Sequence, residues 1–151
     1  MRHRYKQIRE HFGYSYSELA ERTGCSPDLI MCVEIGRGYI SFSKRTEFCE
    51  LLGISQIWLD HGVGPMFIPG REVPPADLEG SRARVKQIRE ERGMSQEEFA
   101  AAIGYSAWHV GVVESGVGQD EDSLPSRTFL SCVAEKLSVD ETWLVTGKKE
   151  R

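Results

Sequence analysis

The pentapeptide Lys6-Gln7-Ile8-Arg9-Glu10 returns unchanged as Lys86-Gln87-Ile88-Arg89-Glu90, and the correspondence runs well beyond those residues. Without a gap, residues 4–36 overlie residues 84–116, pairing Gly13 with Gly93, Ser15 with Ser95, Glu18 with Glu98 and Ala20 with Ala100. The same register pairs Gly24 with Gly104, Ser26 with Ser106, Val33 with Val113 and Glu34 with Glu114. It then slips by about five residues, after which Ile54, Trp58, Leu59 and Gly62 meet Val139, Trp143, Leu144 and Gly147. Self-similarity of this kind means that one small folding unit occurs more than once. The chain of 151 residues is therefore expected to form two modules of roughly 65 residues, near the lower size at which a hydrophobic core sustains itself.

Composition narrows the class. With 40% hydrophobic and 28% charged residues the chain reads as globular, not disordered. No apolar run approaches the roughly 20 residues that span a bilayer, and no apolar signal core follows Met1-Arg2-His3-Arg4. A cytoplasmic location without membrane partners is expected. Cys25, Cys32, Cys49 and Cys132 form no Cys-x-x-Cys pair, and His3, His11, His61 and His109 stand at no ligand spacing to them. They read as thiols in a reducing compartment, with no metal and no cofactor called for. A net charge of −4 argues against an indiscriminate nucleic-acid binder, which would be basic.

Taken in order, residues 2–12 predict a first helix with Tyr5, Ile8 and Phe12 inward. Gly13 stops it. Ser15 with Glu18 is a capping box opening a second helix, which ends at Gly24. Ser26-Pro27-Asp28 opens a third, with serine as cap, proline where its missing N–H costs nothing, and aspartate at the positive end of the dipole. Ile30 and Val33 face inward there. A fourth helix carries Phe48, Leu51 and Leu52, and Ser55 opens a fifth with Ile57, Trp58 and Leu59. Gly64-Pro65 through Pro74-Pro75 reads as a proline-stiffened connection. The boundaries expected are module one at 1–67, a linker at 68–81 and module two at 82–151. In module two Ser95 and Ser106 cap the second and third helices, and Pro125-Ser126 precedes the fourth. The extra residues fall at Gln119-Asp120-Glu121-Asp122-Ser123.

Two short helices joined at Gly24-Cys25, or at Gly104-Tyr105, have the form of a helix-turn-helix. The series Arg9, Ser15-x-x-Glu18-Leu19-Ala20, Gly24, Ile30, Val33-Glu34 and Gly36, ending in Ile54-Ser55-x-x-Trp58-Leu59-x-x-Gly62, resembles the Cro and phage-repressor (XRE) family. Ser95-Gln96-Glu97-Glu98-Phe99-Ala100 and Val139 through Gly147 carry the same likeness. The resemblance implies an all-α fold, with two five-helix, lambda-repressor-like domains in tandem. It also implies internal salt bridges Arg9–Glu34 and Arg89–Glu114, and Trp58 and Trp143 as core wedges.

For function it implies a sequence-specific regulator of double-stranded DNA, repressor-like and of prophage or mobile-element type, with the third helix of one or both modules in the major groove. The base-facing positions carried over are Tyr16, Pro27, Asp28, Leu29 and Cys32 in module one, and Gln96, Ala107, Trp108, His109 and Val112 in module two. Ser15, Arg37, Lys44 and Arg45, with Ser95 and Arg127, are the phosphate set, and Arg2 and Arg4 stand in reserve. These sets depart from the family, because base edges are best read by Arg, Lys, Asn or Gln and module one offers none. Asp120-Glu121-Asp122 falls where the family meets the DNA backbone, either repelling phosphate or simply solvated. Counted by charge, module one is near neutral and module two about −2, which favours Arg37, Lys44 and Arg45 for DNA. The competing reading is a protein-interaction module, an antirepressor or an inhibitor of a nucleic-acid enzyme. It would use apolar third helices (Leu29, Met31 and Cys32; Trp108, Val110 and Val112) to bind a protein partner or a second copy, through module two in particular. No catalytic constellation stands at usable spacing, so no enzyme is expected.

Overall fold

The computed structural model describes residues 2–116 and 124–148. Among them it is all-α: α1 (Arg2–Phe12), α2 (Tyr16–Thr23), α3 (Pro27–Glu34), α4 (Phe42–Leu52), α5 (Gln56–His61), α6 (Leu78–Glu91), α7 (Gln96–Ile103), α8 (Ala107–Ser115), α9 (Arg127–Leu137) and α10 (Glu141–Thr146). The chain divides into two compact units, Met1–Pro75 and Ala76–Arg151. None of the described helices is long and apolar enough to cross a membrane.

Serine sets most helix starts. The hydroxyls of Ser15, Ser26, Ser41 and Ser55 each accept the backbone N–H three residues on, as do those of Ser95, Ser106 and Ser126. Each such cap is worth about 1 kcal/mol. At Ser15 the exchange is reciprocal: Glu18 N–H donates to Ser15 Oγ at 3.2 Å, and Ser15 N–H donates to Glu18 Oε1 at 3.0 Å. Gly24, at φ 70°, takes the left-handed turn that ends α2 and frees the chain to enter α3.

Tyr5, Ile8, Leu19, Ile30, Phe48 and Leu59 are fully buried at the centre of the first unit. Val85, Phe99, Val110, Phe129, Leu130 and Leu144 play that part in the second. Burying each such side chain stabilises by roughly 1.5–3 kcal/mol. Equivalent arginines then tie first helix to last: Arg4 Nε donates to Leu59 O at 2.8 Å and Arg84 Nε to Leu144 O at 3.0 Å. Arg4, held in reserve for DNA, is thus committed to closing the C-terminus of α5.

Three readings of the sequence are corrected. Leu51 and Ile57 point outward, because one helix face cannot take both members of Leu51-Leu52, nor all of Ile57-Trp58-Leu59. Val110, counted among the outward apolar residues of the third helix, is fully buried. The expected linker is structured at its two ends, and the segment leading into it is held to the first unit: Ser55 N–H donates to Met66 O at 2.8 Å, Ile68 N–H to Gly53 O at 2.9 Å, and Ile54 and Phe67 form a β-bridge. Phe67 is only 7% exposed, with its ring 5.9 Å from that of Phe12. At the other end Asp77 caps α6, which starts four residues before the expected boundary, and Ser81 is buried with its hydroxyl donating to Leu144 O at 2.7 Å. The acidic run Asp120-Glu121-Asp122 lies outside the described residues.

Candidate nucleic-acid interface

In each unit the second and third helices pack against one another, and an ion pair from the first helix locks the end of the third. Arg9 Nε and Nη2 donate to Glu34 Oε2 and Oε1 at 2.9 and 3.1 Å, and Arg89 makes the same fork with Glu114 at 2.9 and 3.0 Å. The bond to Glu114 raises the Arg89 pKa above its usual value, overriding burial, which works the other way. The remaining face of each arginine differs. The Arg9 guanidinium carbon stands 4.4 Å from the centroid of the Tyr16 ring, whereas Arg89 Nη1 donates to Met94 O at 2.9 Å.

That difference reaches the base-facing set. Tyr16 is half-buried under Arg9 and packs on the core, and Leu29 is half-buried against the same core. Cys32 is half-buried, and it lies against the loop after α3: a side chain at Gly38 would begin 2.8 Å from Cys32 Cβ. Pro27 and Asp28 are exposed at the first turn of α3, so the first unit offers one carboxylate and no amide or cation at that tip.

In the second unit Gln96 replaces Tyr16, and its Oε1 lies 3.5 Å from where a side chain at Gly111 would begin. The amide therefore lies along α8. Trp108 is 76% exposed, and with Gly111, Val112 and Ser115 it follows the i, i+3, i+4, i+7 spacing of one helix face. Ala107 is half-buried and packs on the core. His109 turns inward, its ring centroid 5.0 Å from Tyr105 and 5.3 Å from Phe129. It is a packing residue more than a groove residue.

The phosphate set changes most. Arg45 is 8% exposed. Its Nε donates to Asp60 Oδ1 at 3.0 Å and its Nη1 to Ile40 O at 2.6 Å. It anchors α4 to α5 and to the preceding loop, and is unavailable to DNA. Lys44 Nζ is 3.4 Å from Glu47 Oε2 and beside Gly24 at the end of α2. Arg127 is largely covered, 3.7 Å from Glu141 Oε1. The Ser15 and Ser95 hydroxyls accept from helix N–H groups, and Arg37 is exposed. The charge-based preference for the first unit thereby loses most of its footing. Exposed Ile35, Tyr39 and Phe42 lie outside the sequence-derived sets. For Ile35 and Phe42 the signal was in the overlay, which sets them against Ser115 and Arg127.

Residues 85–144 match a helix-turn-helix family model. The match runs from α6 into α10 and is confined to the second unit. The match supports a helix-turn-helix domain of the Cro/C1 (XRE) type over those residues, and with it a DNA-binding regulator. Neither a curated protein nor a solved structure matches the chain.

Proposed function

We propose that the protein is a sequence-specific DNA-binding transcription regulator that reads duplex DNA with α8 of its second unit. The first unit, on this reading, is a diverged copy of the same helix-turn-helix domain. One observation carries the assignment: the family match coincides with the unit whose exposed α8 face is lined by Gln96. A glutamine amide at that place can pair with the N6 and N7 edge of adenine. Gly111 lets the α8 backbone approach base edges closely, and Trp108 at the first turn can cover a thymine methyl. The described residues of the α7–α8 face carry no cation, and Glu97 and Glu98 stand in the first turn of α7. Binding should therefore rest on few phosphate contacts, giving modest affinity and a shallow salt slope.

The test is selection of bound duplexes from a random pool by the full chain, repeated with Gln96→Ala. Loss of discrimination worth about 1–3 kcal/mol at a single A·T position, with the rest of the motif retained, is the expected result. A pool that never enriches would sink the reading. It would leave a protein-binding face centred on Trp108, which the same lack of cations favours.

A further inference from the structure

The two units serve as controls for one another. Eight large apolar side chains of the first unit are exposed: Met31, Ile35, Tyr39, Phe42, Leu51, Ile57, Val63 and Val73. Among the described residues of the second unit, Trp108 alone is exposed in this way. The overlay gives the counterparts: Gly111 stands for Met31, Ser115 for Ile35, Arg127 for Phe42, Lys136 for Leu51, Thr142 for Ile57 and Lys148 for Val63. The helical plan thus tolerates small, polar or charged residues at these six positions. Apolar residues there do not serve the fold. Patches of this kind on a soluble domain mark interaction surfaces.

Four of the eight belong together. Met31 on α3 and Ile35, the residue that caps its C-terminus, are one turn apart. The loop after α3 then folds back on that helix, Arg37 N–H donating to Cys32 O at 2.8 Å and Gly38 lying against Cys32, one residue before Tyr39. Tyr39 and Phe42, 73% and 64% exposed, both stand 5.6 Å from the Arg45 guanidinium carbon. The one charge beneath the patch is neutralised by Asp60.

We infer that this α3–α4 surface of the first unit is the interface through which two copies of the chain associate. Three features point to a second copy. The same elements carry both signs, Asp28 and Arg37 at the two ends of α3 and a Lys44–Glu47 pair on α4, so a two-fold arrangement can set cation against anion without net repulsion. The four side chains expose roughly half of the ~800 Å² a side that a standard interface buries, the apolar share such interfaces carry. And the cation-poor reading face proposed above needs a second reading head to reach useful affinity, which a dimer supplies by effective concentration. In this last respect the inference rests on the proposed function.

The test is the mass of the full chain in solution, by light scattering or sedimentation equilibrium, with no DNA present, so that it fails or succeeds independently of DNA binding. The wild type is expected at twice the 17.1 kDa chain mass. Ile35→Ser with Phe42→Arg introduces residues the second unit already holds at those positions, so folding should survive. It should weaken association by more than about tenfold at an unchanged thermal midpoint. Tyr39→Ser, in the loop, provides a second disruption outside any helix. Leu51→Lys with Ile57→Thr, also copied from the second unit, should leave the dimer intact. A monomeric wild type, or a dimer that survives Ile35→Ser/Phe42→Arg and Tyr39→Ser but yields to Leu51→Lys/Ile57→Thr, would overturn the assignment.

Discussion

Arg45 and Asp60 form a largely buried ion pair in the first unit, and the overlay places Leu130 and Val145 at the same two positions in the second, both fully buried. Removing one partner, in Arg45→Leu or Asp60→Val, strands the other charge in a low-dielectric site and should cost about 3–5 kcal/mol. Removing both, in Arg45→Leu/Asp60→Val, takes away the two desolvation penalties together. One debt remains, because Ile40 O loses the guanidinium that it accepts from at 2.6 Å, at about 1–3 kcal/mol. The double variant should therefore sit within about 2 kcal/mol of wild type, and the two single losses should fail to add by about 3 kcal/mol or more. Hydrogen exchange read by mass spectrometry on the full chain resolves the two units. Peptides from α4 and α5 should lose two to three decades of protection in each single variant and recover most of it in the double, by about 1.4 kcal/mol per decade. Peptides from α9 and α10 provide the internal reference. Additive losses in the double variant would refute the reasoning and return Arg45 to the surface role its sequence suggested.

Phe67→Ala should destabilise the first unit by about 3–5 kcal/mol in urea unfolding, since Phe67 fills its core; a loss under about 0.5 kcal/mol would restore the segment to a free linker. The Cys49 thiol is pushed up to about 11 by burial first and by Asp60 second, and burial also raises the Tyr5 phenol. A raised folded pKa gives stability that is present at neutral pH and lost as the unfolded thiol ionises. The urea midpoint should therefore fall above about pH 9, by up to about 1.4 kcal/mol per pH unit, and Cys49→Ala should flatten that fall between about pH 9 and 10. A midpoint that stays level to pH 10 would show the thiol to be solvated. Trp108→Ala should shift stability by less than about 0.5 kcal/mol, as expected for a side chain without core packing; a loss of several kcal/mol in a thermal melt would place Trp108 in the core.

Local signals carried most of the fold. Serine caps, glycine stops and the Ser15–Glu18 box act within one turn, so the residues that set each helix start are adjacent in sequence. The Arg9–Glu34 and Arg89–Glu114 contacts came only through family likeness, because nothing local ties a first helix to a third. Arg45 shows where such carry-over ends. Its partner Asp60 sits on another helix, and a lone arginine early in α4 reads as surface until that carboxylate is seen. Proline and glycine around residues 64–75 suggested a free connection, and they obscured Phe67, an aromatic amid turn residues whose only use is burial. Asp77 was likewise a legible N-cap, hidden because the overlay began at Arg84. Of the groove-facing positions, the outward placement of Trp108 followed from the family likeness. The inward turn of His109 did not, since it depends on Phe129 twenty residues on.

The central claim is that α8 of the second unit reads DNA, and the most direct measurement is fluorescence anisotropy of a labelled, selected duplex titrated with the full chain at several salt concentrations. Saturable binding with a slope of only a few phosphate contacts is expected. Gln96→Ala should weaken it for the selected duplex but not for a scrambled one, and Arg37→Ala in the first unit should leave the preference between the two intact. Equal affinity for selected and scrambled duplexes, or a preference that follows Arg37 and ignores Gln96, would contradict the account.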